Sequence, residues 1–385
     1  MNVVFLSPHF PPHMAWFCVR LREVGATVLG IGDAPYDELR PELREALTEY
    51  YRVPDLMDTD ALIRAFGWFI HRHGRIDRVD SLNEWWLETE AKLRTWFDVP
   101  GIRLDTIDAI KSKTAMKEVF AAAGVPAPRG RICRTRDEIL ALVDEIGYPI
   151  VAKPDVGVGA ARTYRIGGEA DLPAFLVDAR STDYICEEFL AGDLYSYDGL
   201  VDREGQVVFD ASITYGISVL DSVEGGEMAY WIDRTIPDDL VALGRRLVEA
   251  FGVRERPFHF EFFRLPDGTL RALEVNMRQP GGLTVDMWDW ANDMDFYRAW
   301  AEVVVEGTTA IRPSRAFACL WAGRKDGHAY GLKHDEITAR YRDLIVHHER
   351  MAGVFAAAIG SEGYIMKSPD LALLRGAAAA IHARP

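Results

Sequence analysis

The first hundred residues alternate short apolar runs with longer amphipathic stretches. Residues 2–6, 27–31 and 76–81 read as strands, and residues 15–24, 61–73 and 84–97 read as helices. Strands that alternate with helices predict a parallel sheet covered on both faces. Gly30-Ile31-Gly32-Asp33 follows a strand but lacks the third glycine and helix start of a dinucleotide-binding fingerprint, so it reads as a pair of turn glycines. Val99-Pro100-Gly101 is a breaker cluster and a first boundary. Beyond it, residues 110–123 read as a helix ended by Gly124, with an extended exit through Val125-Pro126-Ala127-Pro128. A helix near 137–145, strands at 150–153 and 163–166, a strand-rich stretch over 184–214 and a long amphipathic helix over 237–251 follow. Residues 258–264 and 270–276 are two strands joined by Leu265-Pro266-Asp267-Gly268, a hairpin turn sequence. After about residue 311 strand and helix signals mix, ending in an Ala-rich helix.

Composition narrows the class. A chain of 385 residues should hold two or three domains, and 49% apolar residues supply a large core. No apolar run approaches the roughly 20 residues that span a bilayer. The apolar start ends at Ser7-Pro8 and lacks a basic lead, so neither a secretory signal nor a membrane span is expected, and the expected location is the cytoplasm. The net charge of −15 argues against nucleic acid as a partner. It does not argue against a nucleotide, which a few local cations and a metal can hold. Cys18, Cys133, Cys186 and Cys319 are scattered without a Cys-x-x-Cys pair, and read as reduced, mostly buried thiols.

The chemistry concentrates in the hairpin. Strand side chains alternate, so Glu274, Asn276 and Arg278 share one face while Val275 and Met277 take the other. Glu261 joins the first group if the register brings it there. Carboxylates, an amide oxygen and a guanidinium on one face suit magnesium, a hard ion that takes oxygen ligands and substrate phosphates. The competing reading is a solvated hairpin face. Strongly apolar flanks, the poor strand propensity of Asn and the immediate break at Gln279-Pro280-Gly281-Gly282 favour a ligand site.

Glu261 followed by Glu274-Val275-Asn276-Met277-Arg278-Gln279-Pro280-Gly281-Gly282 resembles the metal-binding and catalytic signature of the ATP-grasp superfamily. That superfamily includes D-alanine–D-alanine ligase, biotin carboxylase, carbamoyl-phosphate synthetase and amino-acid ligases. Other segments agree in the same order, over about residues 111–306. Lys113 resembles the family's first ATP-contacting lysine, at a helix start. Lys153 resembles the second, reaching the phosphates from a strand. Gly157-Val158-Gly159-Ala160-Ala161 resembles the loop that closes over them, and Glu187-Glu188-Phe189-Leu190 resembles the hinge that holds adenine. By this resemblance Glu187 accepts from the adenine amino group, and the backbones of Glu188 and Leu190 meet the base edge. Taken singly, each piece has a bland reading: a snorkelling lysine, a hairpin glycine pair, a common helix start or an ordinary strand end. Two departures stand out. Ala160-Ala161 replaces the Ser-Gly of many members, and Asp193 stands one position before the usual ribose-binding glutamate.

The resemblance implies a mixed α/β and α+β chain. Its parts are a Rossmann-like pre-ATP-grasp domain (residues 1–104), an ATP-grasp domain (105–308) and a small mixed α+β region (309–385). It also implies an ADP-forming carboxylate–amine ligase using ATP and magnesium, as two ions, with manganese an alternative. Glu261, Glu274 and Asn276 would be the metal ligands, and Arg278 the catalytic residue on the reacting carboxylate and acyl phosphate. The partners would be a small carboxylic acid and an amine, with a homodimer possible by analogy. The acid pocket is expected where the first domain faces the hairpin. Residues 7–13 and 82–86 are candidates, each at least as readable as a capped loop with buried aromatics, and 284–295 is a third, for which a tryptophan-rich core helix is the more frequent case. Two rival functions remain: a bicarbonate-using carboxylase of the same superfamily, and a catalytically silent ATP-binding regulator.

Overall fold

The computed structural model describes the chain apart from residues 158–161 and 180. Its N-terminal layer is a four-stranded parallel sheet in the order Glu49–Arg52, Thr27–Gly32, Asn2–Leu6, Arg78–Asp80. Apolar runs such as Val3-Val4-Phe5-Leu6 are buried on both faces, as a parallel sheet between helices requires. Among the helices of this region, Thr59–His73 opens on Asp58, whose carboxylate accepts from Ala61 N–H at 3.1 Å. The short helix Pro41–Ala46 and the edge strand Glu49–Arg52 escape the periodicity reading. The third expected strand shortens to Arg78–Asp80, and the expected helix over 84–97 divides into a 3₁₀ turn, Glu84–Trp86, and the helix Leu87–Trp96. Gly30 and Gly32 are not turn residues. Both lie inside the strand Thr27–Gly32, where a Cβ at Gly30 would press on Leu47 and Tyr50 at 3.0 Å and one at Gly32 would collide with the Tyr50 hydroxyl at 2.5 Å.

The second layer is a small antiparallel sheet in the order Gly130–Ile132, Tyr184–Glu188, Ile150–Pro154, Tyr164–Ile166. Helices Arg136–Ile146 and Leu172–Asp178 contribute Ile139, Leu142, Leu172 and Phe175 to its core. The third is a large antiparallel sheet. Its order is Leu270–Asn276, Arg256–Arg264, Asp193–Val201, Ile213–Tyr215, Ala229–Ile232, Ala318–Arg324, Glu362–Ser368, Ile345–Arg350, with Val207–Ala211 beside Asp193–Val201. The strands after residue 308 thus extend this sheet and do not form one of their own. The expected helix over 110–123 divides at Ser112, which caps Lys113–Ala122 by accepting from Ala115 N–H at 3.1 Å.

One aromatic core joins the first layer to the large sheet. Phe5 and Phe17 meet Trp300, and Phe209 meets Trp288. Trp288 therefore belongs to the core, while Trp290 is exposed beneath Lys367. All four cysteines are buried and free. Among the described residues, no helix is long and apolar enough to cross a membrane.

Candidate functional site

The hairpin strands Arg256–Arg264 and Leu270–Asn276 pair so that Glu261 stands directly opposite Glu274 and His259 opposite Asn276. On the other side of Arg256–Arg264, His259 faces Asp198 and Glu261 faces Ser196. The register thus gathers Ser196, Asp198, His259, Glu261, Glu274 and Asn276 on one face of three adjacent strands. The ladder slips by one residue after Glu261: Phe262 pairs with Ala272, leaving Leu273 as the extra residue of a bulge. This is why Leu273 and Glu274, adjacent in sequence, both line the cavity above this face. In a regular strand one of them would point away.

The cavity measures about 530 Å³. Lys113, Lys153, Glu187, Glu188, Leu190, Glu261, Glu274, Asn276 and Arg278 all border it. Its position is typical of a small-molecule site, in a cleft between two sheets. Gly157 does not border the cavity, but its carbonyl accepts at 3.4 Å from Nζ of Lys113, which does. Gly159 and the rest of that glycine turn fall outside the described residues.

Local chemistry aims each side chain. Asp155 fixes the helix start beneath Lys113: its carboxylate accepts from Ser112 Oγ at 2.7 Å, from Thr114 N–H at 2.8 Å and from Thr114 Oγ at 2.7 Å. The Asp155 carbonyl accepts from Lys113 N–H at 2.9 Å. Lys113 Nζ then reaches Glu274 Oε1 at 3.5 Å. Lys153 follows the alternation of the strand Ile150–Pro154, which turns it with Val151 toward the cavity. Its ammonium meets Glu187 Oε1 at 2.5 Å, and Lys117 Nζ meets Glu187 Oε2 at 2.8 Å. Burial alone would lower the Lys153 pKa, but Glu187, Glu274 and Glu261 raise it above the usual lysine value. Burial would raise Glu187, and the two lysines instead hold its carboxyl below the usual range. Glu187 is thus the anion between buried Lys153 and half-buried Lys117, a role the hinge resemblance does not include. Glu188 is tied by Arg129, whose guanidinium donates to it at 3.0 Å and 3.2 Å. The Leu190 amide has no partner among the described residues and borders the cavity.

Arg278 emerges where the sheet meets the first layer. It donates to the Gln279 carbonyl at 2.7 Å and to Asn276 Oδ1 at 3.4 Å, and its Nε lies 3.9 Å from Glu84 Oε2. Glu84 belongs to the segment 82–86, which a second contact secures: Gln279 Nε2 donates to the Leu82 carbonyl at 3.0 Å. That segment therefore does approach the hairpin. Residues 7–13 are tied within the first layer: Phe10 N–H donates to the Ser7 carbonyl at 3.3 Å, and His9 Nε2 lies 3.1 Å from Asp33.

Several bordering residues escape the sequence reading. Tyr215, Gly216, Ile217 and the start of helix Val219–Val223 border the cavity. Ser218 caps that helix, a signal for the element though not for its role. Lys117 lies four residues after Lys113, so helical spacing places it on the same side. His259 lies two residues before Glu261, and strand alternation alone puts it on the same face.

Two carboxylates directly opposite on a ladder destabilise it without a counter-charge. Lys113 lies 3.5 Å from one of them, and both open into the cavity with the Asn276 amide oxygen beside them. This all-oxygen donor set fits a hard divalent cation that also carries substrate phosphates.

Comparisons with known proteins place the same segment. Residues 146–286 match the family model described as ATP-grasp domain. The L-arginine-specific L-amino acid ligase of Bacillus subtilis is 23% identical over 275 residues, 64% of each chain, so the match spans under two thirds of that relative's length. In structure, the chain resembles an L-amino acid ligase from Bacillus licheniformis (TM-score 0.74, 18% identity, 97% of this chain and 95% of that one). It also resembles the biotin carboxylase domain of the Hydrogenobacter thermophilus 2-oxoglutarate carboxylase, solved with MgADP, ADP and bicarbonate (TM-score 0.71, 16% identity, 95% and 86%).

Proposed function

We propose, from the ATP-grasp domain that this chain carries, that the protein is an ADP-forming ligase that phosphorylates a small carboxylic acid and couples it to an amine. Amino-acid-like molecules are the substrate class. The observation that carries this reading is the Glu261–Glu274 cross-strand pair beneath a cavity bordered by Lys113, Lys153 and Arg278.

Phosphoryl transfer asks the protein for positioning and charge stabilisation. Glu261, Glu274 and Asn276 would hold magnesium, which when bound neutralises phosphate charge. Lys113 and Lys153 bind the phosphates. The Leu190 amide and the Glu188 carbonyl meet the edge of the base, and apolar Val151, Phe263 and Leu273 cover its faces. The substrate carboxylate attacks the γ-phosphorus, the bond to the bridging oxygen of ADP breaks, and an acyl phosphate results. The amine then attacks the acyl carbon and phosphate leaves. Arg278 stabilises the negative charge in both steps, held by Asn276 and the Gln279 carbonyl.

The test is an ADP-release screen over amino acids, dipeptides and small carboxylic acids, with mass analysis of the product. Release that needs an acid and an amine, and yields their condensation product, supports the reading. Release driven by bicarbonate alone would replace it with a carboxylase.

A further inference from the structure

Three strands align a buried polar series that ends on Glu261. Ser196 Oγ accepts from Ile213 N–H at 3.1 Å and donates to Asp198 Oδ2 at 2.6 Å. Asp198 Oδ1 lies 2.7 Å from His259 Nδ1, and His259 Nε2 lies 3.2 Å from Glu261 Oε1. Ser196 and Asp198 are fully buried, and His259 nearly so. The register requires this order, because Ser196 and Asp198 face Glu261 and His259 across the same ladder.

The two bonds of His259 are unequal, and the inequality has a use. The shorter one anchors the ring to Asp198, which is fixed on its other oxygen by Ser196. The longer one touches a single oxygen of Glu261. The other oxygen has no hydrogen-bond donor among the described residues. Glu261 is thereby held through one oxygen, at 3.2 Å from the ring, while its other oxygen stays open toward the cavity. A carboxylate opposite a like-charged Glu274 would otherwise swing away from it.

We propose that His259, anchored by Asp198 and Ser196, is a positioning residue that aims the Glu261 carboxylate at a divalent cation in the cavity. This rests on the metal ligands assigned under the proposed function. Residues that orient metal ligands through hydrogen bonds typically contribute 10–100-fold in metal affinity. A purely structural role, that of a buried ion pair holding strands together, would contribute only to stability.

The experiment measures ADP affinity by calorimetry with and without Mn²⁺, in wild type, His259→Gln, Asp198→Asn and Glu274→Gln. The gain in ADP affinity on adding Mn²⁺ should fall by about 10–100-fold in His259→Gln, while affinity for metal-free ADP holds within about twofold. Asp198→Asn should lose part of the gain, because the ring then has a weaker anchor. If His259→Gln does not fold, Asp198→Asn and Ser196→Ala carry the same comparison. An undiminished gain in the His259 and Asp198 variants, with Glu274→Gln impaired, overturns the positioning role and leaves the cation site standing. An undiminished gain in Glu274→Gln as well removes the site, and the inference with it.

Discussion

Glu187 offers the sharpest quantitative prediction, because its carboxylate is buried between Lys153 at 2.5 Å and Lys117 at 2.8 Å. Glu187→Gln keeps the shape and removes the charge. Breaking a buried ion pair by deleting one partner typically costs about 3–5 kcal/mol. The lower end applies here: Lys153 still feels Glu274 and Glu261, and Lys117 keeps its bond to the Pro128 carbonyl at 2.6 Å. A loss of about 3 kcal/mol lowers the melting temperature by roughly 6–12 °C at about 2–4 °C per kcal/mol. A non-hydrolysable ATP analogue should raise the variant's melting temperature more than the wild type's, since phosphates supply the missing anion to Lys153. The pH dependence has a definite sign. The folded carboxyl lies below its ordinary value of about 4.5, so its contribution is complete above that pH and fades as pH falls through the folded value. The gap between wild type and Glu187→Gln should therefore be constant near neutrality and narrow only below about pH 4.5. Adding Lys117→Met to the variant should recover more than about 1 kcal/mol, as coupled neighbours do. Thermal denaturation across pH measures all of this. A loss under about 1 kcal/mol, the size of an exposed pair, with no recovery in the double variant would refute the reasoning.

Two further predictions follow from the hairpin and its exit. Glu274→Gln relieves the cross-strand repulsion with Glu261 but loses a 3.5 Å contact to buried Lys113 and part of the negative charge felt by Lys153; its stability loss should stay below the ~3 kcal/mol expected for Glu187→Gln, while metal-dependent ADP release nearly vanishes. Normal ADP release from a well-folded Glu274→Gln would remove Glu274 from the site. Gly282 has φ +65°, and a Cβ there would lie 2.9 Å from Ile359 Cδ1, so Gly282→Ala should cost about 1–3 kcal/mol by chemical denaturation. Gly281 has only Phe355 at 3.9 Å, and Gly281→Ala should be nearly neutral; equal losses at the two positions would contradict this reading.

The hairpin face was legible in the sequence because period two is a local property: Glu274, Asn276 and Arg278 need no partner strand to share a side. The position of Glu261 needed the register, and the bulge at Leu273 that sets it has no local signal. Lys153 was legible from its apolar strand. The role of Glu187 as a counter-ion was not, since it depends on Lys117, carried by a helix seventy residues earlier in the chain. His259 was recoverable by the same alternation that found Asn276, but its partner Asp198 sits on a strand paired across a long connection. Gly30 and Gly32 misled for a physical reason. Glycine is favoured there by Leu47 and Tyr50 packing closely over the strand, and close packing leaves the same residue as a turn does. The strands Ala318–Arg324 and Glu362–Ser368 were hidden because the first pairs with Ala229–Ile232, some ninety positions earlier, and the second pairs in turn with the first.

The account's central claim is that a carboxylate is phosphorylated beside Arg278. Incubating the protein with ATP, magnesium and an acid found in the ADP-release screen, but no amine, should give an acyl phosphate that hydroxylamine traps as a hydroxamate. Arg278→Lys keeps the charge but loses the planar fork of donors. It should form little hydroxamate while binding ATP with nearly unchanged affinity, because the contact matters most as charge develops on the transferring oxygens. Oxygen-18 from a labelled carboxylate should appear in the released phosphate when the amine is restored. If wild type yields no hydroxamate and the label never reaches phosphate, the carboxylate is not activated by phosphorylation, and the ligase mechanism is wrong.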